Sequence, residues 1–533
     1  MSAQAIYAVA RADFLERVRR YSFLVTLLFT VFLGYAAATG KIVVSLDDFR
    51  GVYTAGWIGL IVSMVTTTFV SLIGFYIVKN SIDRDRCTRV GQILASTPLG
   101  KTAYLLGKFG SNFAVLTTIV LILACGAVAM FFLVAEDRNF HAWALLSPFL
   151  FIALPTMALV AGLALLFESV PLLRGGLGNV LWFFVWSFSL ALPEIFKHRW
   201  LDPMGFISTM DSVLPAARAA IPNFKNNIGL NFSAVQAPIA HNLRFEGIPW
   251  TGHSILVRLL WVGVAIVFAL IAAIIFDRFD DARAILPGFG TRGNARANSL
   301  VVNGSSGTAK ISASVQHGAA VHLTPLDRTA TGHNFLRIFS AELRLALQGL
   351  RWWGYAVAAG LLIAQFVAPF DAARGPLLAV AWLWPALVWS AMGSRESRFG
   401  VRQLIFSCAN ILPRQLFACW LAGVFVALLT GAGAGFRLVV AGQYSGFFAF
   451  LAATLFIPSL ALALGVLTGS GKFFEALYSV LWYIGPINHA PGIDFTGSSN
   501  GARTVQDAII YLVIAAILLA TSFIVRTRQL RGN

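Results

Sequence analysis

Long apolar runs broken by short polar stretches make up most of this 533-residue chain, and several runs of about 18 or more residues carry no charge at all. A bilayer core of ~30 Å needs ~20 apolar helical residues. Backbone polar groups in lipid must be satisfied internally, which leaves helices or closed barrels. The runs are long and lack period-two alternation, so the pattern predicts an all-α polytopic membrane protein. Twelve transmembrane helices are expected at about 22–40, 57–78, 109–134, 149–167, 179–195, 259–276, 354–371, 376–392, 416–434, 447–468, 475–487 and 508–525. The first run, with "GYAAATG" at its end, is read as a span and not as a signal peptide. It is longer than the usual apolar region of such a peptide, and Asp13 and Glu16 precede it.

The polar stretches are not plain connectors. "SIDRDRCTRVGQILASTPLGK" (81–101) separates spans 2 and 3, and it mixes acidic with basic residues over more length than a tight helix connection needs. It has the length for a short helix standing off the membrane. A related stretch, "SRESRFGVRQLIFSCANILPR", returns later: Arg84-Asp85 aligns with Arg395-Glu396, Val90 with Val401, Gln92 with Gln403 and Ser96 with Ser407. Three further matches follow in order. "LPTMALVAG" from Leu154 pairs with "IPSLALALG" from Ile457, "NVLWFF" (179–184) with "SVLWYI" (479–484), and "LDPMG" (201–205) with "IDFTG" (493–497). The chain is therefore read as two six-span halves, 1–280 and 333–533, joined by a flexible cytoplasmic linker at 281–332. An even span count per half makes them parallel repeats. Each half opens with an amphipathic segment expected in the membrane interface. In the first, Ile6, Val9, Ala10, Phe14 and Val18 share a face; in the second, Phe335, Phe339, Leu343, Leu347 and Leu350 do.

The net charge of +17 raises the question of nucleic acid, and its distribution answers it. Twenty-eight of the 40 Lys and Arg fall in the termini and in every second loop, which marks that side as cytoplasmic with both termini inside. The charge is a topology signal, and no nucleic-acid partner is expected. Cys87 and Cys408 fall in cytoplasmic loops and Cys125 and Cys419 in spans, so no external disulfide is expected. Arg outnumbers Lys 32 to 8, which suits a GC-rich bacterial source, and the expected location is the bacterial cytoplasmic (inner) membrane, crossed many times.

Catalytic chemistry is missing. "GVLTGSGKFFE" (465–475) has Val466 and Phe473 where a phosphate loop needs Gly and Ser/Thr, and "GSSGTAK" (304–310) lacks the Gly-Lys-Ser/Thr ending. The eight histidines have no metal-ligand spacing, so no metal, no cofactor and no enzymatic activity are expected. Charged residues lie only near span ends, which argues against a proton- or sodium-coupled carrier. Spans 5 and 11 are short, share a "VLW" core and are expected to break at Pro193 and at Gly485-Pro486. Interrupted spans at matching positions point to a substrate path, with Trp182, Trp186, Pro193, Trp482, Tyr483, Pro486 and Asn488 as candidates. An aromatic belt at the external interface accounts for the same residues equally well.

The basic amphipathic N-terminus, "IDRDRCTRVGQILASTPLGKTAYLLGK", "LPTMALVAGLALLF" and "WYIGPINHAPGIDFTG" together resemble a permease of the ATP-binding-cassette (ABC) transporter family, type 2. The resemblance covers nearly the whole chain except the linker. It implies six spans per half, re-entrant external helices within 197–257, and a coupling helix after span 2 that seats a separate nucleotide-binding subunit. The implied contacts are Asp83, Arg84, Asp85, Arg86, Arg89 and Gln92 in the first half, and Arg395, Glu396, Arg398 and Gln403 in the second. The second half departs from the pattern, since "STPLG" becomes "SCANI" and the proline shifts to Pro413. Most members are single halves that dimerise, so a fused pair is a further departure. The expected function is the transmembrane subunit of an ATP-driven exporter working with two nucleotide-binding subunits in the lipid bilayer. The alternatives are a non-transporting membrane anchor for a cytoplasmic complex and a secondary carrier.

Overall fold

The computed structural model describes the chain except residues 1–2, 20, 39–42, 47–48, 197–200, 221–227, 232–240, 280–334, 349–351, 399, 402–404, 407–411, 489–491, 498–503 and 532–533. The expected linker 281–332, Gln403 and Cys408 lie outside the described residues.

Helices dominate. The first part runs α1 (Ala3–Val18), α2 (Tyr21–Ala38), β1 (Val43–Leu46), β2 (Phe49–Gly51), α3 (Ala55–Val65), α4 (Ser71–Val78), α5 (Ser81–Cys87), α6 (Val90–Ser96), α7 (Lys101–Val134), α8 (Ala142–Pro148), α9 (Leu154–Ser169), α10 (Gly176–Phe196), α11 (Phe206–Ala220), β3 (Ile228–Asn231), β4 (His241–Leu243) and α12 (Gly252–Ile275). The second part runs α13 (Phe335–Leu347), α14 (Trp352–Val367), α15 (Phe370–Ala372), α16 (Leu378–Leu383), α17 (Ala386–Trp389), α18 (Arg395–Arg398), α19 (Phe417–Val440), α20 (Tyr444–Thr468), α21 (Lys472–Trp482) and α22 (Thr504–Arg531). Among the described residues, 8 helical stretches are long and apolar enough to cross a membrane, and two shorter apolar helices, Leu177–Leu190 and Gly354–Val367, accompany them. This is a helical, multi-pass membrane architecture.

Several spans are re-registered at or near a proline. π-helical turns at Phe149–Ala153, Ala373–Leu377, Leu412–Leu416 and Tyr483–Ile487 follow Pro148 or contain Pro376, Pro413 and Pro486. Proline cannot donate to the i−4 carbonyl, and a wider turn absorbs the missing bond. The turn at Thr66–Val70 has another cause: Thr66 and Thr67 hydroxyls donate to the carbonyls of Val62 (2.6 Å) and Ser63 (2.8 Å), competing with the backbone ladder.

Four short strands accompany the helices among the described residues. They form one sheet in the order β3-β1-β2-β4, with β1 antiparallel to β2 and β3 and β2 parallel to β4. Around the sheet, Thr54 donates to the Phe245 carbonyl (2.5 Å), Glu136 N–H to Tyr53 O (3.1 Å), and Arg244 pairs with Asp137 (2.7 Å). The segments after α2, after α7 and before α12 thus meet around the sheet. α11 lies in the 197–257 stretch where re-entrant external helices were expected.

Element pairings recur along the chain. α1 and α2 pack on α7, and α9 packs on α12; α13 and α14 pack on α19, and α20 packs on α22. The two parts meet where α4 packs on α21 and α10 on α17. One apolar core runs through both parts, and a smaller one, built on Ile82, Tyr104, Leu165 and Phe276, lies under α5 and α6.

Candidate coupling site

The segment after span 2 folds as two short helices. Asn80 (φ 77°) and Arg89 (φ 61°) take the left-handed conformation, which ends α4 before α5 and α5 before α6. Glu168, at the end of α9, accepts from the backbone N–H of Ser81 (3.0 Å) and Ile82 (2.6 Å). A carboxylate suits that place, because the first N–H groups of a helix lack intrahelical partners.

The charges of this segment turn inward onto a buried network centred on Asp13 of α1, which is 5% exposed. Asp13 pairs with Arg17 (2.8 Å), Lys108 (2.8 Å) and Arg84, and accepts from the Ser111 hydroxyl (2.6 Å). Lys108 also reaches Asp85 at 2.8 Å, and Tyr104 donates to Asp85 at 2.7 Å. Burial alone would raise the Asp13 carboxyl, but the charges of Arg17 and Lys108 and the bonds from Lys108 and Ser111 outweigh it, holding the group well below the ordinary carboxylate range. Beyond span 6, Asp277 pairs with Arg86 (2.8 Å) and Arg174 (2.9 Å). Arg278 donates to the carbonyls of Ala95, Thr97 and Leu99 at 3.0–3.3 Å. The segment is therefore clamped to α1, α7, α9 and the end of α12. Its outer face stays open: Arg89, Gln92 and Ser96 are exposed, as are Val90 (42%) and Ile93 (67%).

The second half places the aligned residues in similar bonds. Arg395 pairs with Glu342 of α13 at 3.3 Å, as Arg84 pairs with Asp13 of α1. Gln415 reaches both Glu342 (3.3 Å) and Glu396 (3.5 Å), as Lys108 reaches both Asp13 and Asp85. Arg526 of α22 ties in Glu396 (3.0 Å) and the Gly393 carbonyl (3.1 Å). A water-sized cavity of ≈ 20 Å³ lies between Glu396, Gln415, Cys419 and Arg526. Burial raises the Glu342 carboxyl, and Arg395 and Gln415 offset that only in part.

Of the residues expected to meet a partner, Arg84, Asp85, Arg86, Arg395 and Glu396 are engaged within the chain. Asp83 stands in the first turn of α5, and Arg89, Gln92 and Arg398 are exposed. The sequence reading missed Asp13, Lys108, Glu168, Asp277, Glu342 and Arg526 as members of the site.

The candidate path residues are packed between the two parts. Trp182 and Trp186 are buried and donate to the carbonyls of Leu72 (3.2 Å) and Thr68 (3.1 Å), and Trp482 donates to the Ala379 carbonyl (2.8 Å). Trp186 meets Tyr483 edge-on at 4.9 Å, and Phe183 meets Trp482 at 4.9 Å. Pro486 is buried in its π-helical turn, and Asn488 is exposed and bonded to the Tyr483 carbonyl. The expected break at Pro193 is corrected: α10 continues through it to Phe196. The rejected phosphate loop has a structural use, since Lys472 donates to the Lys79 carbonyl at 2.5 Å. No family model matches this chain, and no curated protein matches it.

Proposed function

We propose that this chain is the fused transmembrane subunit of an ATP-driven exporter in the bacterial inner membrane, with twelve spans in two parallel halves. ATP is bound and hydrolysed by separate subunits of the ABC type, one seated on each half. The observation that carries this reading is the 81–101 segment: two short helices tied to α1, α7 and the end of α12 by ion pairs and to α9 by the Glu168 carboxylate, with an open outer face at Arg89, Gln92, Ile93 and Ser96. A force applied to that face passes to spans 3, 4 and 6 instead of being absorbed by a floppy loop.

The two-half reading draws support from matched details. Arg84–Asp13 and Arg395–Glu342 are equivalent pairs. Trp182 and Trp482 each bond a carbonyl of the second span of their own half. Gly205 and Gly497, aligned in the repeat, both have positive φ (74° and 66°). Adding α2 and α21 to the ten apolar helices brings the count to twelve.

The test is purification of tagged protein from the membranes of its source, with mass spectrometry of what accompanies it. The wild type is expected to bring down a subunit with a complete phosphate-binding loop. A Gln92→Glu, Ile93→Asp variant, altered only on the exposed face, is expected to lose it by about tenfold or more, as hot-spot losses do. Recovery of no such subunit, or equal recovery with the variant, removes the proposal.

A further inference from the structure

Three of the loops assigned to the cytoplasmic side converge on one polar cluster between the halves. Lys79, just past α4 and 2% exposed, points its ammonium at the carbonyls of Leu173 (2.9 Å) and Gly175 (3.3 Å) and at Asn179 Oδ1 (2.5 Å). Asn179, in the first turn of α10, donates through Nδ2 to Glu475 of α21 at 2.5 Å. Ser390 lies beside Glu475. Lys472 reaches back across to the Lys79 carbonyl. Tyr76 OH donates to the Asn179 carbonyl (3.0 Å) and lies 3.3 Å from Ser479 Oγ. The second and fifth spans of both halves thus meet in one knot, and the aromatic contacts of Phe183, Trp186, Trp482 and Tyr483 lie deeper along the same spans.

Two features set this knot apart from a static tie. Apolar packing at a permanent interface is commonly as stable as buried ionic groups or more so. Polar groups suit a surface that parts and must be solvated when it does. The knot is also asymmetric. At the spacing that aligns Arg84 with Arg395, Lys79 falls on Ser390, and Asn179 aligns with Ser479. A dimer of identical halves presents the same patch on both sides; a fused chain is free to place Lys79 and Asn179 opposite Glu475 and Ser390.

We propose that Lys79, Asn179, Lys472 and Glu475 form a cytoplasmic latch that closes the interface between the halves and opens when cargo is admitted. The inference rests on the transporter reading, and its test is separable from it. Cys87, Cys125, Cys408 and Cys419 are replaced by alanine, and a reporter is placed by Val480→Cys, at a position that is 0% exposed. Inside-out vesicles are treated with a membrane-impermeant maleimide, and the labelling rate is measured with the latch intact and with Glu475→Ala, Asn179→Ala or Glu475→Gln added. The last keeps an oxygen for Asn179 while removing the charge, so it carries the test if the alanine variants elute as aggregate.

An intact latch labels slowly. The alanine variants are expected to label roughly tenfold faster or more, as for a locally destabilised opening, with Glu475→Gln between them and the parent. Rates within about twofold of the parent in every folded variant, well short of such an opening, overturn the latch. Faster labelling in a protein that recruits no ATPase subunit keeps the closing contact but removes its role in admitting cargo together with the transporter reading. Unchanged labelling in one that does recruit it removes the latch alone.

Discussion

Asp13→Ala is the most informative single change. It removes the carboxylate that Lys108 and Arg17 meet at 2.8 Å and that Arg84 also reaches. The Lys108 and Arg17 side chains are 3% and 6% exposed, so water cannot replace the lost partner. Breaking a buried pair from one side costs about 3–5 kcal/mol, against about 0–1 for an exposed pair. Lys108 keeps Asp85 at 2.8 Å, which places the expected loss near the lower end, about 3 kcal/mol. Glu342→Ala, the counterpart, should cost less, about 1–2 kcal/mol, because it strips hydrogen bonds at 3.3 Å from neutral Gln415 and from an Arg395 side chain that is 19% exposed. The assay is reversible unfolding in mixed micelles followed by tryptophan fluorescence. A double-mutant cycle of Asp13→Ala with Lys108→Ala should show a coupling of about 1–3 kcal/mol, since the second change removes the stranded cation. A loss below about 1 kcal/mol for Asp13→Ala, typical of an exposed pair, or strict additivity in the cycle, refutes the buried-network account.

The same two carboxyls predict opposite responses to pH. Asp13 is held below its unfolded value, so the stability it adds is complete above about pH 4 and is lost as pH falls from there through its lower folded value. Glu342 is raised, so its contribution is complete below about pH 4 and declines as pH rises through its folded value. Hydrogen exchange corrected for intrinsic rates should therefore show α1 loosening in acid while α13 tightens. Gly465→Ala should destabilise by about 1–3 kcal/mol, because a Cβ there would meet the Met392 carbonyl oxygen at 1.9 Å and backbone must move; the same unfolding assay reads it. Gly91→Ala would put its Cβ 2.5 Å from the Phe279 ring, so it should weaken partner recruitment while leaving the distant spans folded, which co-purification and melting profiles separate. Trp182→Phe and Trp482→Phe should each cost about 1 kcal/mol for the lost indole bond. Acrylamide should quench neither tryptophan in the parent.

The spans were legible because lipid imposes one rule on every residue in a run. The proposed repeat rests on Arg84-Asp85 and Arg395-Glu396, which share their order and their chemistry. What the sequence obscured was direction. Arg84, Asp85 and Arg86 read as a solvated docking face, yet the helix that carries them turns them onto Asp13, Lys108 and Asp277. A signal was present: Asp13 and Glu342 each stand in the basic helical segment that precedes the first span of its part. The consequence is practical, since Asp85→Arg would break the network with Lys108 and Tyr104 instead of probing a surface. The four strands, of three or four residues each, were too short to show a period, and their partners are far apart in sequence. All but one of the described π-helical turns follow or contain prolines visible in the sequence, but the distinction between a kink, a break and a re-registered turn lies in packing. Pro193 and Pro486 illustrate it, one inside a continuing helix and the other inside a π-helical turn.

The central claim is that the outer face of α6 is the seat of an ATPase subunit. Its most direct test is a photo-activated cross-linking residue in place of Ile93, which is 67% exposed, irradiated in native membranes. The account predicts one dominant adduct, to a subunit carrying a complete phosphate-binding loop, and loss of that adduct when Gln92→Glu is added. An adduct only to lipid, to this chain itself or to a protein without nucleotide-binding motifs would contradict it.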